Sequence, residues 1–457
     1  MSKNFIQDLL TQIAQRGRSI IGIGASASYE GTEDLGALSR ALLAGRGEAS
    51  GVAMARHILD MYHHATPEQR LAFLKTLAQD FGPDEARLAR AIEAYTSQKN
   101  QKTQAELSRV AEPARQELLR RLNAAPGGTA ALVRMREDVL KHLKTSEDLS
   151  VLDEDFLHLF SSWFNRGFLV LRRIDWTTPA NILAKIIQYE AVHSIRSWDD
   201  LRNRLEPSDR RCFAFFHPQL VDEPLVFVEV ALTPHIPDSI GPLLDLGRGV
   251  TPDAAANVAV FYSISNCQTG LRGVSFGNFL IKQVVEELKR DLPGLKTFVT
   301  LSPVPGFMGW LKTELAKEKH GLLPADVATA LRPLLSDKLP DMDTLGPAQL
   351  SAAAVYFLHA KANGDKPADP VARFHLGNGA RLERINFKAD MSANGLRQSA
   401  GLMVNYLYDL TRIEANHEAY FSQSKIAASP AVHKLLPPAP SKAVSVKPAP
   451  SLPRKVS

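Results

Sequence analysis

The sequence predicts a two-domain protein. An all-α helical bundle spans residues 1–190, an α/β (α+β) domain spans 191–427, and an unordered basic tail spans 428–457. Three observations predict this. Apolar residues recur at helical spacing between strong caps through the first third. Short β-type apolar runs begin only near residue 211. After Ala427 the composition turns to Pro, Ala and Lys.

Residues 65–83, "ATPEQRLAFLKTLAQDFGP", show how the helical part is built. Thr66 caps, Pro67 suits the first turn, and Gln69 completes a capping box. Leu71, Leu74, Leu77 and Phe81 line one face, and Gly82-Pro83 stops the helix. Similar signals predict helices around Asp84–Tyr95, Thr103–Leu122, Thr129–Lys144 and Asp153–Trp163, with "NAAPGG" (Asn123–Gly128) as a break. No fixed period relates them, which predicts an irregular bundle and not a solenoid. Thr177–Glu190 reads as a capped helix joining the two domains.

The strands follow: "RCFAFFH" (Arg211–His217), "LVFVEVALT" (Leu225–Thr233), "VAVFYSIS" (Val258–Ser265) and "KTFVTL" (Lys296–Leu301). Helical segments lie among and after them. The tail has no aromatic residue and too little apolar surface to offset its ordering entropy.

The chain of 457 residues has 54 Lys and Arg against 49 Asp and Glu. Lys434, Lys442, Lys447, Arg454 and Lys455 all lie beyond Ala427, where no acid is found. Setting those five aside leaves a formally neutral folded part, poor ground for a nucleic-acid surface. No apolar run reaches membrane-spanning length, and the N-terminus lacks a signal-peptide core. The C-terminal "RKVS" is not a peroxisomal signal. Only Cys212 and Cys267 are present, which predicts a reducing, cytoplasmic setting and inert buried thiols.

"LRGVSFGNFLIK" (Leu271–Lys282) sets two glycines between a strand and a helix, with another strand to follow. A helix N-terminus after such a turn favours an anion through its amides and dipole. Gly273 and Gly277 allow close approach of a phosphate. They equally suit close packing of a helix on a sheet. Without a G-K-[ST] ending, this is not a Walker A loop. It resembles the acyl-CoA pyrophosphate loop of GCN5-related N-acetyltransferases, R/Q-x-x-G-x-G/A. Arg272, Ser275 and Gly277 fall on its defined positions, with Ser275 in place of the central glycine.

"GIGASA" (Gly22–Ala27) fits a dinucleotide fingerprint but has no βαβ unit around it, so a loop is expected. His57, Asp60 and His64 share a helical face without a tight ligand set, so a solvated face is expected. His217 and Glu229 fall at or near strand ends, where packing and turn roles are the simpler reading. Ser302 follows a strand and is stiffened by Pro303 and Pro305; it is a turn former or a fixed polar group of a site. His375, near the Asn378-Gly379 turn, is a satisfied core histidine or a catalyst.

Two long stretches resemble the malonyl-CoA decarboxylase family: "FYSISNCQTGLRGVSFGNFLIKQVVEELKRDLPGLKTFVTLSPVPGF" and "HLGNGARLERINFKADMSANGLRQSAGLMVNYLY". "CFAFFHPQLVDEPLVFVEVALT" and the helical region before it are similar too. The resemblance covers most of residues 150–427. It implies a carboxy-lyase that converts malonyl-CoA to acetyl-CoA and CO2, with an acetyltransferase-like C-terminal domain. It implies Ser302 and His375 as the catalytic pair and Tyr408 near the substrate. It implies Arg272, Gly273, Val274, Ser275, Phe276, Gly277 and Asn278 as the CoA-contacting turn, and a homo-oligomer. Animal enzymes of the family carry a glutamate where this chain has Ser275.

Loss of CO2 leaves an electron pair that a thioester accepts as an enolate, so neither metal, biotin nor pyridoxal phosphate is expected. Fixed donors stabilise the oxyanion, and CoA binding supplies orientation. His375, with an ordinary pKa near working pH, is expected to protonate the α-carbon, with Ser302 as its partner. Alternatively, the pair binds the carboxylate and water supplies the proton. Rival readings are an acyl-CoA-dependent N-acyltransferase and a helical interaction protein that binds acyl-CoA without turnover.

Overall fold

The structure, a computed structural model, describes residues 34–45, 47–274, 280–317, 321–336, 340–362 and 365–438. Helices come first: α1 (Leu35–Ala44), α2 (Glu48–His64), α3 (Pro67–Asp80), α4 (Glu85–Ser97), α5 (Gln101–Ala111), α6 (Ala114–Asn123), α7 (Gly128–His142) and α8 (Ser150–Trp163). They are followed by β1 (Val170–Ile174), α9 (Ala180–Tyr189), α10 (Trp198–Leu205), β2 (Arg210–Phe216), β3 (Pro224–Thr233), α11 (Gly241–Leu244) and β4 (Val258–Asn266). Next are α12 (Leu280–Asp291), β5 (Thr297–Thr300), β6 (Ser302–Pro303), α13 (Phe307–Leu315), α14 (Ala325–Leu331) and α15 (Met342–His359). The last are α16 (Pro370–Gly377), β7 (Arg381–Asn386), α17 (Ala393–Ser399), β8 (Met403–Leu407), α18 (Ile413–Gln423) and α19 (Pro430–His433). A helical region followed by an α/β sheet domain is the predicted pattern.

The expected capping box at α3 is formed: Thr66 Oγ1 accepts from the Gln69 amide, and Gln69 Oε1 accepts from the Thr66 amide at 2.9 Å. The single helix expected over Thr103–Leu122 is two, α5 and α6. Pro113 has no amide to donate and forces Glu112 into an extended conformation. "GIGASA" lies outside the described residues.

The chain forms two compact units. The first holds Met1–Glu206, Cys212–Val228 and Ile264–Val284. Its helices bury Leu118, Leu122, Leu132, Val133, Met135, Phe156 and Phe160. In the same unit α9 and α10 bury Ile182, Leu183, Ile186 and Leu201 against Ile174, Cys212, Ala214, Phe216 and Phe227. β1 pairs antiparallel with β2, Val170 opposite Phe216 and Ile174 opposite Cys212. The sequence reading missed β1 because Arg172 and Arg173 interrupt its apolar run.

The second unit holds Pro207–Arg211, Glu229–Ser263 and Val285–Ser457. Here β4 and β5 are parallel, while β5, β6 and β7 each pair antiparallel with β8. Within this unit β8 lies between β5 and β6 in the sheet order, with β7 also on β8. Ala231, Val258, Val260, Tyr262, Val299, Leu301 and Met403 form this unit's core.

The start of the expected unordered tail is in fact held in place. Leu382 of β7 donates to the Ala427 carbonyl at 2.9 Å and accepts from the Ser429 amide at 2.9 Å. Ser429 caps α19, and Val432 is fully buried. Composition hid this because one cap and one buried valine suffice for a single turn on a sheet edge. Residues 439–457 lie outside the described residues. Among the described residues no helix is long and apolar enough to cross a membrane.

Candidate active site

Ser302 opens β6, two residues after Thr300 closes β5. Side chains of an extended chain alternate, so a two-residue step puts both hydroxyls on one face: Ser302 Oγ donates to Thr300 Oγ1 at 2.8 Å. Thr300 is itself fixed. Its Oγ1 accepts from the Tyr406 amide at 3.1 Å, and its carbonyl accepts from Asn405 Nδ2 at 2.8 Å. Thr300 and Asn405 are fully buried, so these bonds carry the full cost of being broken.

His375 lies in the last turn of α16. Asp369 caps that helix, accepting from the Ala372 amide at 2.8 Å, and Pro370 fills its first turn. Tyr356 of α15 donates to the same carboxylate at 3.2 Å, and the Gly306 amide also bonds to it. Burial nevertheless raises the Asp369 carboxyl above the usual range.

The imidazole is held on three sides. Nε2 is 3.1 Å from Ser302 Oγ, and Nδ1 is 2.8 Å from the Tyr408 hydroxyl. The Tyr406 ring stacks on it, with centroids 4.6 Å apart and planes 24° from parallel. Only 2% of His375 is exposed, and this burial lowers its pKa to about 3. A helix C-terminus favours a cation, but desolvation outweighs that effect here. His375 is therefore neutral at working pH, contrary to the expectation of an ordinary pKa. Burial also pushes the Tyr408 phenol well up, so it stays protonated. With Tyr408 donating to Nδ1, Nε2–H donates to Ser302, and Ser302 donates to Thr300.

The structure thus brings Ser302, His375 and Tyr408 together. It adds Thr300, Tyr406, Asn405, Asp369 and Tyr356, which the sequence reading missed. Two cues were available: Thr300 and Tyr406 each stand two residues before a singled-out residue, and Asp369-Pro370 is a cap followed by an N1 proline.

Of the expected anion turn, Arg272, Gly273 and Val274 are described; Ser275, Phe276, Gly277 and Asn278 lie outside the described residues. Arg272 is exposed and Val274 buried. Gly273 has φ +86°, a conformation that favours glycine. The Arg272 and Val274 amides bond back to Thr269 and Leu271, both at 3.0 Å. In this stretch, therefore, an anion would meet the Arg272 side chain and not those two amides.

Other candidates have structural roles. Asp60 is paired with Arg56 at 2.8 Å, and His64 Nδ1 contacts the Asp60 carbonyl at 2.8 Å. His217 contacts the Trp163 carbonyl at 3.1 Å and accepts from the Gln219 amide at 3.2 Å. Glu229 is fully buried in the middle of β3. Cys212 and Cys267 are buried thiols, and burial pushes the Cys267 thiol up.

Two family models match. Residues 81–164 match the malonyl-CoA decarboxylase N-terminal domain, and residues 167–446 match the malonyl-CoA decarboxylase C-terminal domain. Mitochondrial malonyl-CoA decarboxylase of Anser anser anser is 34% identical over 79% of this chain and 78% of its own length. The Rattus norvegicus protein of that name is 34% identical over 81% and 82%. The crystal structure of malonyl-CoA decarboxylase from Rhodopseudomonas palustris is 61% identical, with a TM-score of 0.85 over 88% of this chain and 98% of that one. That from Agrobacterium vitis is 55% identical, with a TM-score of 0.84 over 88% and 99%. With more than half of its length matched by one model and relatives aligned over most of both chains, this chain belongs to the malonyl-CoA decarboxylase family.

Proposed function

We propose that this chain converts malonyl-CoA to acetyl-CoA and CO2, with Ser302 and His375 as its catalytic pair. The carrying observation is the 3.1 Å contact between these two buried side chains, 73 residues apart in sequence, in a member of this family. The bond between the α-carbon and the carboxylate breaks, CO2 leaves, and the electron pair spreads into the thioester as an enolate. A proton then joins the α-carbon. A thioester enolate is a far stronger base than imidazolate, so a neutral N–H or O–H donor suffices. Ser302 delivers the proton and Nε2–H replaces it; the imidazolate this leaves, held at Nδ1 by Tyr408, takes a proton from water as the product departs. Ser302, His375 and Tyr408 are all uncharged and offer the malonyl carboxylate no counter-charge. This favours the transition state, where that charge is spread.

Arg272 and the residues to Asn278 take the pyrophosphate of CoA in this reading. The exposed Arg272 and the left-handed Gly273 support it. The parallel pair β4–β5, joined through the turn and α12, supports an acetyltransferase-like catalytic domain over 191–427 after the helical domain. The thioester itself holds the electron pair, so turnover needs no added cofactor. A cytoplasmic location fits the two buried thiols. Homo-oligomerisation rests on the family, and light scattering of the purified chain tests it.

The experiment is CO2 and acetyl-CoA release from malonyl-CoA without added cofactor, for wild type, Ser302→Ala and His375→Asn. Turnover in the wild type with losses of about 100-fold or more in both variants is expected. Turnover that survives both changes keeps the lyase and removes this site.

A further inference from the structure

The described part of the anion turn is hung on the helices of its own unit by one buried arginine. Arg136 of α7 is 1% exposed. Its Nε donates to Asp153 of α8 at 2.8 Å, and its Nη1 donates to the Gly270 carbonyl at 2.8 Å. Gly270 lies in the 3-10 turn Thr269–Leu271, which leads directly into Arg272. It packs so tightly on α7 that a Cβ there would overlap the Val133 carbonyl and lie 2.9 Å from Val133 Cγ1. Gly273 is similarly close to α8: its Cβ would stand 3.3 Å from Leu157 Cδ2. Backbone bonds of 3.0 Å from Arg272 to Thr269 and from Val274 to Leu271 make the turn stiff between these points. A planar guanidinium reaches a carboxylate and a carbonyl at once. A lysine ammonium has no such fixed fork.

We propose that Arg136 is a positioning residue for CoA: through Gly270 it sets where Arg272 and Gly273 meet the pyrophosphate. This rests on reading that turn as the pyrophosphate site. The helical part of the chain then acts in substrate binding and not only in folding. Arg136 touches no reacting atom, so its loss weakens the hold on the nucleotide half of the substrate and leaves the decarboxylation step alone.

The test compares malonyl-CoA with malonyl-pantetheine, which lacks the pyrophosphate and nucleotide, on the full chain carrying Arg136→Met, Arg136→Lys or Arg272→Ala. CoA and pantetheine dissociation constants are measured alongside. Arg136→Met is expected to lower kcat/KM for malonyl-CoA about tenfold through KM, and to change malonyl-pantetheine by less than about twofold. Arg136→Lys should fall between wild type and Arg136→Met. Equal losses on both substrates would make Arg136 a fold-supporting residue only and overturn the proposal, as would wild-type kinetics on both. If Arg136→Met does not fold, Arg136→Lys is read by the same ratio. If Arg272→Ala leaves the ratio unchanged, the pyrophosphate reading itself fails. If Arg272→Ala narrows it and the Arg136 variants do not, only this proposal fails.

Discussion

An imidazole sealed between Ser302 and Tyr408 has a marked effect on the protein's response to acid. In the unfolded chain a histidine titrates near the ordinary value of 6.5, whereas in the folded protein burial holds His375 at about 3. Between those values the unfolded state binds the extra proton and the folded state does not. Stability therefore falls as pH falls through this window, by at most about 1.4 kcal/mol per pH unit. Denaturant unfolding at pH 7 and pH 5 should show the wild type losing about 2 kcal/mol more than His375→Asn. His217, also lowered by burial, is present in both proteins and cancels. Equal losses would mean that the ring is not sealed. The same neutrality predicts a kcat profile with no inflection near 6.5 from His375. Tyr408→Phe removes the Nδ1 partner while keeping the ring, and a kcat loss of about tenfold is expected, smaller than that for Ser302→Ala. A Tyr408→Phe enzyme as slow as Ser302→Ala would make the phenol a direct participant.

At the scale of elements, the pair depends on how the loop after β6 meets the start of α16. Asp369 caps α16 and also receives Tyr356 and the Gly306 amide, so one carboxylate links the chain that carries Ser302 to the helix that carries His375. Gly306 is needed for the close approach, because a Cβ there would overlap the Tyr356 hydroxyl. Gly306→Ala should cost about 1–3 kcal/mol, and Tyr356→Phe about 1 kcal/mol for the lost bond. The double variant should cost at least about 1 kcal/mol less than the sum, since removing the hydroxyl makes room for the methyl. Strict additivity in denaturant unfolding would rule out this contact. Of this, only the Asp369-Pro370 cap left a cue in the sequence. A cap such as Thr66–Gln69 announces itself through neighbours three residues apart, and strands such as β3 and β4 through continuous apolar runs. Ser302, His375 and Tyr408 were readable only because long surrounding stretches resemble a family. Asp369, Thr300 and Tyr406 gained their roles from partners 13 to 106 residues away or from a hydroxyl two residues on, and no local pattern encodes such pairings.

Over the whole molecule, what composition predicted least well is the edge formed by residues 427–436. A Pro-, Ala- and Lys-rich stretch has too little apolar surface to fold alone, which is why it reads as unordered. Beside β7 it has no need to fold alone. The Leu382 amide and carbonyl are both bonded to it, the Ser429 hydroxyl donates to the Glu383 carbonyl at 2.6 Å, and Val432 is fully buried. β7 in turn pairs along β8, the strand that carries Tyr406 and supplies the Tyr406 amide to Thr300. Burying one valine contributes about 1.5–3 kcal/mol. Each paired backbone group adds about 1 kcal/mol. A chain ended after Ala427 should therefore melt several degrees below one ended after Pro438, by at least about 4 °C. It should also lose activity at temperatures where the longer chain is intact. Val432→Asp in the full chain should reproduce the effect, because it places a charge in the same dry contact without shortening anything. Superimposable melting curves for the two truncations would show that β7 and β8 hold their register without this edge. A drop in the shorter chain that Val432→Asp fails to reproduce would assign the stabilisation to the backbone pairing at Leu382 and not to the buried side chain.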